Sequence, residues 1–231
     1  GKQNPEGVDQ VFAVATDTSI SIKPLLSTDP VSKTRQLVFQ DDAGNVYLTD
    51  NSGNLIWKQP IDGHIMSEIF EIDLFKNNTR QFLFNTAEYL YLIDTKGTPV
   101  GNYPIRLPAA ATNGINVFDF DKNKDFKIYV ACENRRIYAY LPSGKPLPGW
   151  NFRNLAEIVT DPIRAVTFNG RELLVINDRQ GGVAFVNRFG EQAIQLDSGF
   201  LIGKHSGFYK MPSGSLIVTD AMGSIIEIQT D

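Results

Sequence analysis

Cysteine is almost missing from this chain: Cys132 stands alone among 231 residues, so no internal disulfide can form. Histidine is nearly as scarce. His64 and His205 are the whole supply, and neither has a carboxylate or second histidine at the spacing that zinc needs. No apolar run approaches the roughly 20 residues of a membrane-crossing helix, and no Gly-x-Ser-x-Gly elbow marks a nucleophile. Neither sign of charge dominates: 22 basic residues face 26 acidic ones, a net charge of −4 that offers no positive field to nucleic acid or anionic lipid. Nucleic acid and direct membrane insertion are therefore not expected. The first residue is Gly1, so a missing leader says nothing about the precursor.

What is present is a repeat. The stretch QLVFQDDAGNVYLTDNSGNLIWKQP, Gln36 to Pro60, reads as strand, tight turn, strand, glycine turn, strand. The same order returns in QFLFNTAEYLYLIDTKGTPVGNYP, KIYVACENRRIYAYLPSGKPLPGW and ELLVINDRQGGVAFVNRFGEQAIQL. The glycine of the second turn recurs at Gly53, Gly97, Gly144 and Gly190, at intervals of about 46 residues. Even the lead-ins agree, since Thr34-Arg35-Gln36 matches Thr79-Arg80-Gln81. Short runs rich in Val, Ile, Leu, Tyr and Phe, with no long helical stripe, make strands the natural assignment. A fourth strand fills each gap, around Ser67 to Asp73, Ile115 to Phe120, Ile163 to Phe168 and Ser206 to Met211.

Four-stranded antiparallel sheets with two faces to cover are satisfied by radial stacking, which gives an all-β fold, a five-bladed β-propeller in one domain. The blades are expected at roughly 34–73, 80–120, 127–168 and 172–211, with a fifth made of 215–231 and 8–24. Counting back about 46 residues from Gly53 reaches Gly7, and counting forward from Gly190 passes the last residue. Two N-terminal strands, Val11 to Ala15 and Ser19 to Lys23, would then join Leu216 to Asp220 and Ile225 to Gln229 to close the ring.

The segment Asp50-Asn51-Ser52-Gly53-Asn54-Leu55-Ile56-Trp57, preceded by Asn45-Val46-Tyr47-Leu48, resembles the repeat of quinoprotein-like (PQQ-repeat-like) propellers. Ile93 to Gly97 and Tyr140 to Gly144 are weaker copies. The resemblance implies a propeller fold. The enzymes of that family carry eight blades and many have an adjacent cysteine pair, which is missing here, so the non-enzymatic relatives, scaffolds of the bacterial envelope, are the nearer analogy. It implies a bacterial, extracytoplasmic setting.

Several residues are candidates for chemistry. In Asp119-Phe120-Asp121-Lys122-Asn123-Lys124-Asp125, side-chain oxygens fall at alternate positions as in calcium loops of the integrin-type propeller repeats, making Asp119, Asp121, Asn123 and Asp125 candidate calcium ligands. Lys124 stands where the tight turn wants glycine, and no acidic residue follows in the bidentate position; the competing reading is a polar turn. The inner strands end on Asp41, Asn85, Cys132, Asp178 and Asp220, and the acidic three, Asp41, Asp178 and Asp220, would gather at one channel mouth to bind a cation or sugar hydroxyl, unless each begins its own turn. Cys132 reads as a small buried residue, and Trp57 and Trp150 as third-strand residues buried between blades. Arg135-Arg136, Arg153 and Arg164 read as a solvated edge, and Asn77-Asn78-Thr79 matches the glycosylation sequon. No catalytic constellation emerges. The expectation is a non-catalytic binding or scaffolding propeller recognising a protein or glycan through its loop faces or channel mouth. The alternatives are a glycosidase-like enzyme with paired channel carboxylates and a lectin-like module.

Overall fold

The computed structural model describes residues 13–20, 22–29, 31–197, 199–203 and 206–229. Every regular element among them is a strand, and all paired strands are antiparallel. Residues up to Ile105 form one compact unit and those from Arg106 onward a second.

In the first unit, β1 (Leu25–Thr28), β2 (Arg35–Gln40), β3 (Asn45–Asp50) and β4 (Leu55–Pro60) make a four-stranded sheet in chain order. A second sheet follows from β5 (Phe70–Ile72), β6 (Gln81–Asn85), β7 (Tyr89–Asp94) and β8 (Ile105–Arg106). Side chains of a strand alternate between faces, and the facing sets here are apolar. Val38, Val46, Leu48 and Trp57 of the first sheet pack on Phe82, Phe84, Tyr91 and Ile93 of the second.

In the second unit, β9 (Asn116–Phe118), β10 (Lys127–Ala131) and β11 (Ile137–Tyr140) form a three-stranded sheet. Next come four strands, β12 (Arg164–Phe168), β13 (Arg171–Asn177), β14 (Val183–Val186) and β15 (Gln192–Ile194), then three, β16 (Tyr209–Lys210), β17 (Leu216–Thr219) and β18 (Ile225–Ile228). The strand β13 shows why its centre, Leu173 to Ile176, is an unbroken apolar run. Leu174 and Ile176 face Tyr129, Ala131 and Ile137, while Leu173 and Val175 face Leu216 and Val218. Both faces of the strand are covered, so both must be apolar.

The pairing corrects the grouping of strands expected from sequence. The gap strands join the sheet that follows them: Phe70 pairs with Leu83, Val117 with Ile128, Ala165 with Leu174 and Tyr209 with Ile217. The loops that make these local hairpins are shorter than the connections leading in from the preceding strand, so less chain entropy is lost in closing them. The sheets therefore begin earlier than 34, 80, 127 and 172. Leu25–Thr28, which the expected ranges left between blades, is the first strand of the first sheet. Ile20, expected in the last sheet, instead forms an antiparallel bridge with Asp41. Ala13 to Ala15 carry no strand, and the rest of the expected N-terminal strand lies outside the described residues.

Most tight turns follow one scheme. The residue opening the turn accepts the N–H three positions on and donates its own N–H to the carbonyl four positions on, as at Asp50 with Gly53 and Asn54 and at Asp94 with Gly97 and Thr98. The fourth position needs a positive φ, 83° at Gly97. A Cβ there would also stand 3.0 Å from the Trp57 ring. The indole is held by this turn, with Nε1 donating to the Thr95 carbonyl at 3.0 Å. Gly97→Ala should therefore cost on the order of 1–3 kcal/mol through strain and displacement of Trp57, and red-shifted or broadened tryptophan emission with a lower urea midpoint would show it.

Candidate functional site

Asp41, Cys132, Asp178 and Asp220 occupy equivalent positions, each opening the turn after an inner strand and accepting the N–H three residues on. Asn85 departs from this geometry, since its turn is closed by Thr86 and Tyr89. The carboxylates serve the turns they begin. Asp178 Oδ1 accepts the N–H groups of Gln180 at 3.0 Å and Gly182 at 2.9 Å. Asp220 Oδ1 accepts those of Met222 at 2.9 Å and Ser224 at 2.7 Å. Asp41 is buried and takes the Asn45 N–H at 2.8 Å, the Asn45 side-chain amide and the Tyr47 hydroxyl at 2.8 Å. Burial raises the Asp41 pKa, but these hydrogen bonds outweigh it and hold the carboxyl below its ordinary 3.8. Cys132 is fully buried.

Lead-in chains are tied to the same turns. Ile20 bridges Asp41, Ala111 bridges Cys132 and Ile202 bridges Asp220. Buried amides fix these chains. Gln40 donates to the Gly63 carbonyl at 2.9 Å and accepts the Ile65 N–H at 2.8 Å. Asn113 donates to the Asp161 carbonyl at 2.9 Å and accepts the Ala131 N–H at 3.0 Å. In the second unit they leave a polar cleft of about 400 Å³ lined by Asp161, Asn177, Asp178 and Arg179. Asn177 donates to Asp161 Oδ2 at 2.7 Å, and Arg179 pairs with Glu157 at 2.7 Å. Asp161 was not singled out from the sequence; its one signal there is the Asp-Pro step that turns the chain.

The candidate calcium residues are not brought together. Asp119 accepts backbone N–H groups of Asn123 at 3.1 Å and Lys124 at 2.8 Å. Asn123 Oδ1 accepts the Asp125 N–H at 2.9 Å. Asp121 is held in a two-point pair by Arg188, at 2.6 and 3.0 Å, and Asp125 pairs with Lys127 at 2.9 Å. Among the described residues, no three His, Cys, Asp or Glu form a group suited to a metal ion. The loop one repeat earlier has the same bonds without the acidic pattern. Asp73 accepts from Asn77 at 3.1 Å and Asn78 at 2.9 Å, and Asn77 Oδ1 accepts the Thr79 N–H at 3.0 Å. The loop therefore holds its shape through its own hydrogen bonds.

His64 is exposed, and His205 lies outside the described residues. Trp57 is buried in β4 as expected, whereas Trp150 is only half-buried and lies in no strand, with Nε1 donating to the Ile137 carbonyl at 2.8 Å. Arg135 and Arg153 are exposed, and Arg164 lies over the Phe208 ring at 5.8 Å.

Arg80 is a polar centre that sequence reasoning missed, although its lead-in repeat, Thr79-Arg80-Gln81, was visible. Its buried guanidinium donates to Ser27 Oγ, the Thr28 carbonyl and Gln36 Oε1, and pairs with Glu71 at 3.4 Å. Burial pushes the Glu71 pKa up against the pull of Arg80 and pushes the Arg80 pKa down, so desolvation outweighs the attraction at both partners.

No family model matches the chain, and no curated protein matches it in sequence. Among solved structures it is similar to BBS1N in complex with ARL6DN. In lead- and mercury-soaked crystals the TM-scores are 0.55 and 0.58 at 13% identity, covering 96% of this chain and 73% and 74% of that one. The fold is propeller-like. A TM-score of 0.58 at 12% identity relates it to dihydro-heme d1 dehydrogenase NirN in complex with DHE, over 96% of this chain and 50% of that one. BamB from Moraxella catarrhalis aligns at 14% identity, over 87% of this chain and 67% of that one, with a TM-score of 0.42 that is too low to argue from. At such identities the likeness is one of fold alone.

The depressed Asp41 pKa sets a pH dependence. A carboxyl held below its ordinary value contributes stability above that value and loses it as pH falls through the folded-state pKa. Asp41→Asn should lower the melting temperature at pH 6–7, with the gap to the parent closing below about pH 4; thermal melts across that range check it. Calcium at millimolar concentration should leave the parent melting temperature unchanged, and a calcium-dependent rise would contradict the hydrogen-bonded reading of the 119–125 loop.

Proposed function

We propose that the chain is a non-catalytic, protein-binding propeller scaffold that meets its partner through loop faces. One observation carries this reading: the acidic side chains at strand ends are spent on their own turns, while large apolar side chains stand exposed at loop tips. Val31 is 89% exposed, Phe75 58% and Met222 92%. Exposed apolar groups on hydrogen-bonded loops suit a binding surface better than a reaction centre. The known complex of BBS1N with ARL6DN is a propeller neighbour bound to a protein, which supports the reading at the level of fold.

The finer architecture belongs to the same proposal: a single domain of five blades, closed where the N-terminal segment meets β18. It also includes the bacterial, extracytoplasmic setting implied by the quinoprotein-like resemblance. Deletion of residues 1–12 tests closure. It should lower the melting temperature and speed amide hydrogen exchange in β18, and unchanged exchange there would count against the ring.

Binding is tested with proteins cross-linked to the tagged chain in its native cells, each then purified and titrated. Val31→Asp and Phe75→Asp should each weaken a true partner at least tenfold without changing the melting temperature. The glycan readings have a clear outcome of their own. Saturable binding on a glycan array, or hydrolysis of a glycoside panel that Asp161→Asn abolishes, would replace the protein-binding reading.

A further inference from the structure

Beside the outermost strand of the fourth sheet lies a cleft of about 510 Å³, within the size range of ligand pockets. One wall is β15, and the other is the irregular segment through Phe152, Arg153, Asn154 and Leu155. Its floor includes Val183, Ala184 and Val186 of β14. No strand among the described residues pairs with the outer edge of β15.

Side-chain amides lie along that strand. Gln192 Nε2 donates to Gln195 Oε1 at 2.9 Å and to the Ile194 carbonyl at 3.3 Å, and Gln195 Nε2 donates to the Leu196 carbonyl at 3.3 Å. An edge strand without a partner can pair with the backbone of another chain. The rim carries opposite charges, Arg153 on the irregular wall and Asp197 beyond β15, and neither has an ion pair among the described residues. A floor of aliphatic side chains, an unpaired strand edge and one charge of each sign match an extended peptide.

We propose that this cleft takes an extended peptide segment of a partner protein, which adds a strand to β15. Its backbone pairs with the open edge of β15, alternate apolar side chains meet the floor, and an acidic and a basic side chain face Arg153 and Asp197. This rests on the protein-binding reading above but places part of the contact away from the loop tips.

The probe is a random twelve-residue peptide display library selected against the whole chain. Selected peptides should show alternating apolar residues with an acidic position. Their binding should slow amide hydrogen exchange at residues 192–197 at least tenfold. Asn154→Trp, which fills the cleft from an exposed position, should weaken them at least tenfold, and Arg153→Glu should select basic residues in place of the acidic one. If Asn154→Trp fails to fold, exchange on the parent chain decides alone. Peptides that ignore the filled cleft and slow exchange elsewhere would overturn this site while leaving a protein-binding propeller intact. Failure to enrich any peptide would also overturn the site, whereas the loop-tip titrations decide the broader reading separately.

Discussion

A strand that is apolar on both faces cannot rest until both faces are covered, and everything described in this molecule answers to that demand. Burying a Leu, Ile, Val or Phe side chain is worth roughly 1.5–3 kcal/mol, and β6, β10 and β13 bury such side chains on successive residues, hence on both faces. One sheet packed on one partner would leave half of that set in water. Stacking sheet on sheet resolves the problem for each inner face, and the same need recurs at each new outer face. A propeller-like fold follows from this regress, and the weak sequence similarity to BBS1N and NirN costs it nothing, because the demand concerns period and polarity and not residue identity.

Much of this was legible in the residues. The glycine period marked the turns, since only a residue at ease with positive φ closes them, and Gly53, Gly97, Gly144 and Gly190 all adopt it. The apolar runs marked the inner strands. What could not be read was ownership of the short outer strands. Phe70–Ile72 has no composition that says which neighbour it pairs with; the answer lies in the Asp73 to Thr79 loop, whose side-chain hydrogen bonds make a compact hairpin. A polar turn was one of the readings open for the sister loop at Asp119.

The candidate sites show the opposite balance. Asp41, Asp178 and Asp220 open matching turns, as their spacing suggests, yet spacing does not reveal whether a carboxylate faces solvent or its own backbone. The Asp121–Arg188 pair joins residues far apart in sequence, and the β15 cleft depends on where an irregular segment lies. Neither leaves a local pattern. Arg80 is intermediate: its repeat context was plain, but its burial against Ser27, Gln36 and Glu71 is a property of two sheets meeting.

The twin loops at Asp73 and Asp119 hold one shape with different tips, a bulky aromatic at Phe75 in the first and an acidic Asp121 clasped by arginine in the second. Scaffolding and ornament are thus written in separate letters of the same short word. A lineage can respell the ornament, one codon at a time, and explore new acquaintances without renegotiating how the protein folds.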